Sequence, residues 1–179
     1  MARALVVVDF QNDFTPGGAL GVAGGDDIAG RVDSLARSGD FDLVVATRDW
    51  HPADHSSFAA QGGRWPPHCV QGTPGAALHP ALDRRLVDVV IDKGHDPATA
   101  GYSGFDGTTL AELLRERGVD HVTVVGLATD YCVMHTALDA LREGFGVTVD
   151  STATRPVEVQ AGDGTRALEQ VRAAGGSIA

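Results

Sequence analysis

Residues 121–144 read HVTVVGLATDYCVMHTALDALREG: a β-branched apolar run, a break at Gly126, then apolar residues at helical spacing. Val122–Val125 is short and almost wholly apolar, the pattern of a strand covered on both faces. Thr129–Glu143 carries the period of a helix, with Thr129 or Asp130 as the expected N-cap. A doubly covered strand that turns directly into a helix is the repeating unit of a parallel α/β sheet.

The same unit recurs on either side. Leu5–Val8, Leu43–Ala46, Val87–Ile91 and Val147–Val149 read as further strands, and Asp26–Arg37, Thr108–Arg117 and Pro156–Ala174 as further helices. With right-handed crossovers, this alternation predicts an α/β fold: one three-layer α/β/α domain over residues 1–179 around a mostly parallel, Rossmann-like sheet. The closing Ser177-Ile178-Ala179 is short for a sixth strand, so that edge stays open at this stage. Residues His51 to Leu82 show no clear period, and so long an irregular segment inside a compact domain is expected to be a functional loop.

Composition narrows the function. The chain has 179 residues, of which 43% are apolar, enough for one domain with a core that needs no disulfide staples. Fourteen basic against 24 acidic residues give a net charge of -10, the wrong sign for capture of nucleic acid or an anionic membrane. Ala4–Val8 is cut off by Asp9 and is too short for a signal or spanning segment, so a cytoplasmic protein is expected. Cys69 and Cys132 are the only cysteines and are expected to be free thiols.

Doubly wound sheets bind ligands beyond the carboxyl ends of their strands. Asp9, Asp49, Lys93 and, after a short turn, Cys132 all fall there. A thiol in the first turn of a helix is favoured as thiolate by the backbone amides, although an unreactive buried cysteine fits the same position. A carboxylate can take the thiol proton and return it to a leaving amine, and an ammonium can stabilise the thiolate. A strand-end ion pair would also explain Asp9 with Lys93, but 13 of the 14 basic residues are arginine, and the only lysine stands here.

A second cluster is Asp49-Trp50-His51, then His55 and, across the loop, Trp65-Pro66-Pro67-His68. One carboxylate and three imidazoles suit Zn²⁺, Fe²⁺ or Mn²⁺, although loop histidines often merely face solvent. His79, His95, His121 and His135 are assigned that solvent-facing role. Aromatic residues including Phe14, Trp65, Tyr102 and Tyr131 gather near the same strand ends and could wall a pocket for a flat ring.

These segments together resemble the nicotinamidase/pyrazinamidase branch of the isochorismatase-like cysteine hydrolases. The carriers are Val8-Asp9-Phe10-Gln11-Asn12-Asp13-Phe14, Thr47-Arg48-Asp49-Trp50-His51, Trp65-Pro66-Pro67-His68-Cys69-Val70-Gln71-Gly72-Thr73-Pro74-Gly75, Asp92-Lys93-Gly94, Tyr102-Ser103-Gly104-Phe105 and Gly126-Leu127-Ala128-Thr129-Asp130-Tyr131-Cys132-Val133. The resemblance implies a catalytic triad of Asp9, Lys93 and Cys132, with an oxyanion hole from the amides of Ala128 and Cys132. It implies one divalent ion (Zn, Fe or Mn) on Asp49, His51, His55 and His68, in a metal and substrate loop region of about residues 49–82. Phe14, Trp65, Tyr102 and Tyr131 would border the substrate, and the Leu127-Ala128 peptide would be cis. The implied reaction is deamidation of nicotinamide, and of pyrazinamide, through a cysteine thioester, serving NAD salvage in a cytoplasmic monomer or homodimer that needs only its small-molecule substrate as partner. The competing readings are a metal-independent carbamoyl or ureido amidohydrolase of the same superfamily, or a non-enzymatic flavodoxin-like binding module.

Overall fold

A computed structural model describes all 179 residues. Six strands form one sheet: β1 (Ala2–Val8), β2 (Leu43–Asp49), β3 (Val89–Lys93), β4 (Val119–Leu127), β5 (Gly146–Arg155) and β6 (Ser177–Ile178). Their order is β3-β2-β1-β4-β5-β6, and every neighbouring pair is parallel. The chain thus winds outward from β1 in one direction and from β4 in the other, which opens a crevice at the carboxyl ends of these two strands. The short last strand does form: Thr148 and Val149 pair with Ser177 and Ile178.

The helices are α1 (Ala29–Arg37), α2 (Leu110–Glu116), α3 (Met134–Arg142) and α4 (Asp163–Ala173). Alternate residues of β1 face opposite layers. Val6 and Val8 join a core with Leu110 and Leu114 of α2, Ala137 and Ala140 of α3, and Val171 of α4. Leu5 and Val7 join a core with Val32 of α1 and with Cys69, Ala76 and Leu82 from the long loop. One face is therefore covered by three helices and the other by one helix plus irregular chain. Burial of these side chains, worth about 1.5–3 kcal/mol for each valine or leucine and less for alanine, is what holds the loop against the sheet. No helix is long and apolar enough to cross a membrane.

Several element boundaries differ from expectation. α1 starts at Ala29 instead of Asp26, because Gly24 at φ 66° and the Asp27 to Gly24 backbone bond hold a turn there. α4 starts at Asp163 instead of Pro156, since Glu158 takes φ 57° and cannot continue a right-handed helix. Thr129–Val133 forms a π-helical turn before α3 begins. β3 starts at Val89 instead of Val87, after a 3-10 turn at Arg84–Leu86. β5 runs six residues past Val149, to Arg155, because Thr154 and Arg155 pair with Gly126 and Leu127 after a bulge in the ladder. The solvent-facing role holds for His95 alone. His79 stacks on Phe10, His135 stacks on Tyr102, and His121 bonds Thr148, all three half-buried against neighbouring elements.

Candidate active site

Asp9 directly follows β1 and takes φ 47°, with its amide donating to Thr47 O at 3.1 Å. That turn aims its carboxylate across the crevice toward Cys132. Gly126 makes the approach of β4 possible: its φ is 111°, and a Cβ there would run into the Val8 backbone. Beyond it, the Leu127-Ala128 peptide is cis, and the π turn carries Cys132 in the pocket wall, 5% exposed.

Lys93, at the end of β3, is fully buried and joins these groups. Its Nζ lies 2.8 Å from Asp9 Oδ2, 2.5 Å from Asp49 Oδ1 and 3.5 Å from Cys132 Sγ, and it donates to Gly101 O at 3.0 Å. Thr47 Oγ1 donates to Asp9 Oδ1 at 2.7 Å, whereas Oδ2 has no well-aligned hydrogen-bond donor. The structure therefore brings Asp9, Lys93 and Cys132 together. Asp9, Asp49 and Cys132 also present ligand atoms close enough to suggest a metal, but the Lys93 ammonium already stands among them.

Electrostatics divide the two carboxyls. Burial raises Asp9 from 3.8 to about 6, against the pull of Lys93 and with the Asp49 charge adding to the rise. Burial also works upward on Asp49, yet Lys93 and His51 outweigh it and hold that carboxylate well below its ordinary range. Burial would discharge Lys93, but Asp49 and Asp9 keep it firmly protonated. Cys132 departs from the expected activated thiol: burial pushes it well above its usual value, with Lys93 opposing. The resting group is a thiol facing a carboxyl of intermediate acidity, so a proton acceptor is needed.

On the other side of Asp49 lie the histidines. Oδ2 of Asp49 is 3.3 Å from His51 Nε2 and 3.9 Å from His68 Nε2. His51 Nδ1 donates to Gly94 O at 2.7 Å and His68 Nδ1 donates to Pro66 O at 2.8 Å, so both rings turn Nε2 inward. Gly94 has to be glycine, since at φ 63° a Cβ would lie 2.5 Å from the His51 ring. Ligand atoms of Asp49, His51 and His68 lie within 4.8 Å of one another, a set that suits a divalent metal. His55 stands outside that compact set but lies against His51, with ring centroids 4.0 Å apart and planes tilted by 32°, and its buried Nε2 has no hydrogen-bond partner. An orphaned imidazole nitrogen beside three inward-turned ligands fits a fourth donor.

Phe14, Trp65, Tyr102 and Tyr131 line the cleft that holds Cys132. Trp65 Nε1 donates to the Tyr102 hydroxyl at 3.1 Å, and Tyr131 stands edge-on to Trp65. A larger groove of about 440 Å³ lies on the outer side of Tyr102 and Tyr131, but it lacks the thiol. Leu20 and Val157 complete the cleft and were missed in the sequence, the second because it was absorbed into a helix pattern. Gln11 was missed too. Its side chain accepts from Asp49 N at 2.8 Å and donates to Asp49 O and Ala76 O at 2.8 Å, pinning the backbone of the central carboxylate. Its place two residues after Asp9, outside the strand, was the available signal. Asp130 is not an N-cap: its carboxylate accepts from Val157 and Glu158 instead.

Comparison with known proteins agrees with this arrangement. Residues 3–179 match the isochorismatase domain. The chain is 49% identical to a nicotinamidase/pyrazinamidase of Mycobacterium tuberculosis, over 96% of this chain and 95% of that one. A pyrazinamidase of Pyrococcus horikoshii, solved in complex with zinc, superposes with a TM-score of 0.92 at 46% identity, over 100% of this chain and 99% of that one. An L. infantum protein solved in complex with nicotinate gives a TM-score of 0.94 at 38% identity, over 99% of this chain and 92% of that one. With residues 3–179 matched and the sheet order in place, the chain belongs to the isochorismatase family.

Proposed function

We infer that this protein is a nicotinamidase, hydrolysing nicotinamide to nicotinate and ammonia and acting on pyrazinamide by the same chemistry. The observation that carries this reading is the junction at Lys93, which ties a thiol and an intermediate-pKa carboxyl to the Asp-His-His cluster within one crevice. The names of its full-length relatives support the substrate.

Asp9 accepts the thiol proton through Oδ2, the oxygen that faces Lys93 Nζ at 2.8 Å, and the Lys93 ammonium stabilises the resulting thiolate. The thiolate attacks the carboxamide carbon. The oxyanion that forms is held by the amides of Ala128, which caps the π turn, and of Cys132 within it. Asp9 returns the proton to the departing ammonia, leaving an acyl thioester on Cys132. Water, deprotonated by Asp9, then cleaves the thioester and releases the acid. The flat ring is held among Phe14, Trp65, Tyr102 and Tyr131.

Asp49, His51, His68 and His55 would hold one Zn, Fe or Mn ion, which when bound supplies a Lewis-acid anchor for the pyridine nitrogen, directly or through water. Zinc in the Pyrococcus relative supports that element. The working unit is a single domain, residues 1–179, with its metal and substrate groups in the loop of about residues 49–82, acting in the cytoplasm in NAD salvage as a monomer or homodimer. Ammonia release from nicotinamide, measured before chelation, after it and after metal is restored, tests this reading. Activity lost and regained is expected. A metal-loaded protein inert toward nicotinamide but active on a carbamoyl or ureido compound would replace it with the metal-independent amidohydrolase.

A further inference from the structure

Asp130 and Val157 hold the pocket together from outside the reacting groups. Asp130 sits in the nucleophile turn two residues before Cys132, is 8% exposed, and uses both carboxylate oxygens on one target. Oδ1 accepts from Val157 N at 2.8 Å and Oδ2 accepts from Glu158 N at 3.0 Å. Val157 and Glu158 lie in the connection from β5 to α4, and Val157 lines the same cleft as Cys132. Of the cleft's lining residues it alone comes from the chain beyond Cys132. The connection is strained and braced. Glu158 takes φ 57°, and its carboxylate accepts from Gly162 N at 2.8 Å and Gly164 N at 2.9 Å at the start of α4. Thr129 and Thr154 hydroxyls add a 2.8 Å bond between the nucleophile turn and β5. Asp130 is thus the direct tie between Val157 and the turn that carries the thiol, with the Glu158 and Thr129 bonds bracing the connection around it.

We propose that Val157 is a specificity-determining residue, limiting the size of the aromatic carboxamide that reaches Cys132, and that Asp130 is the positioning residue that keeps it in place. A charge-assisted fork to two consecutive amides fixes a backbone more tightly than a neutral bond can. Asparagine at 130 has one acceptor oxygen, so it would leave one of the two amides unpaired and let residue 157 move. The inference rests on the amidase reading for its natural substrate, but not for its geometry.

The test compares wild type with Val157→Ala, Val157→Leu and Asp130→Asn on nicotinamide and on the bulkier quinoline-3-carboxamide. Val157→Ala is expected to raise the kcat/KM ratio of the bulky over the small amide at least tenfold, and Val157→Leu to lower it. Asp130→Asn is expected to shift the ratio as Val157→Ala does, with the loss on nicotinamide falling mainly on KM, and the double variant should be non-additive. An unchanged ratio in Val157→Ala, or an Asp130→Asn variant that loses only kcat with selectivity intact, overturns the proposal. A second measurement is independent of the reaction: the rates at which iodoacetamide and an N-aryl maleimide alkylate Cys132. If wild type hydrolyses neither amide, the amidase reading fails, while a raised maleimide-to-iodoacetamide ratio in Val157→Ala still supports the size limit and an unchanged one refutes it.

Discussion

With Nζ 2.8 Å from Asp9, 2.5 Å from Asp49 and 3.5 Å from Cys132, Lys93 is the buried cation among three groups that carry or acquire negative charge. Replacing it by methionine leaves two carboxylates facing each other without a counter-charge. Lys93→Met is expected to lose turnover and to destabilise the fold by about 3–5 kcal/mol, measured by urea unfolding. Cys132→Ala removes only the proposed nucleophile. It should lower kcat by roughly 10³-fold or more while the metal content, read by atomic absorption, stays at the wild-type level. Asp9 predicts the acid limb of the pH profile. Its carboxyl, raised by burial to about 6, must be ionised to take the thiol proton, so kcat/KM is expected to be level above that pH and to fall tenfold per unit below it. A profile flat from pH 7 to pH 4.5 would remove Asp9 as the base. That Asp9, Lys93 and Cys132 would meet was legible because two of them lie at strand ends and the third in the turn after the next strand. The raised thiol pKa was not, since it depends on how much of the pocket is dry.

At the scale of elements, the site depends on how closely β4 passes β1. Gly126→Ala puts a methyl group against the Val8 backbone at φ 111°. Destabilisation of more than about 1 kcal/mol is expected, together with a fall in kcat, because the same shift parts Asp9 from Cys132. Leu114→Ala in α2 is the contrasting case. Leu114 is fully buried on the helix-covered face, so the variant should lose about 2–5 kcal/mol of stability in chemical denaturation with kcat/KM within twofold of wild type. The strand centres were legible from runs such as Leu5–Val8, since double burial demands near-continuous apolar sequence. Helix starts were not. Asp26 and Pro156 fit a helical period, but Gly24 and Glu158 impose left-handed turns that periodicity does not register.

For the whole molecule, an ion held by Asp49 and the histidines in the native state and absent from the unfolded chain would also stabilise the fold. Metal at a hundred times its Kd is expected to add about 2.7 kcal/mol. Calorimetry should therefore show a melting temperature that drops on chelation and returns on reloading, and an unchanged value would argue against a metal site in the folded protein. The net charge of -10 is consistent with a surface holding few exposed large apolar side chains, of which Met1 and Val159 are the examples.

Sequence alone determined the class of the fold and singled out the residues that the structure brings together in the crevice. A period of two or of 3.6 is a local property, and Asp9, Asp49, Lys93 and Cys132 stand out by their place at or just after strand ends, whereas His51, His55 and His68 formed a loosely spaced cluster that only the family resemblance made a ligand set. Tertiary structure alone decided that β6 forms, that Asp49 faces both Lys93 and the histidines, and that Asp130 grips a turn 27 residues away instead of capping its own helix. These outcomes rest on contacts between segments far apart in the chain. Their strength comes from burial and from the pairing of buried polar groups, and neither exists until the layers close.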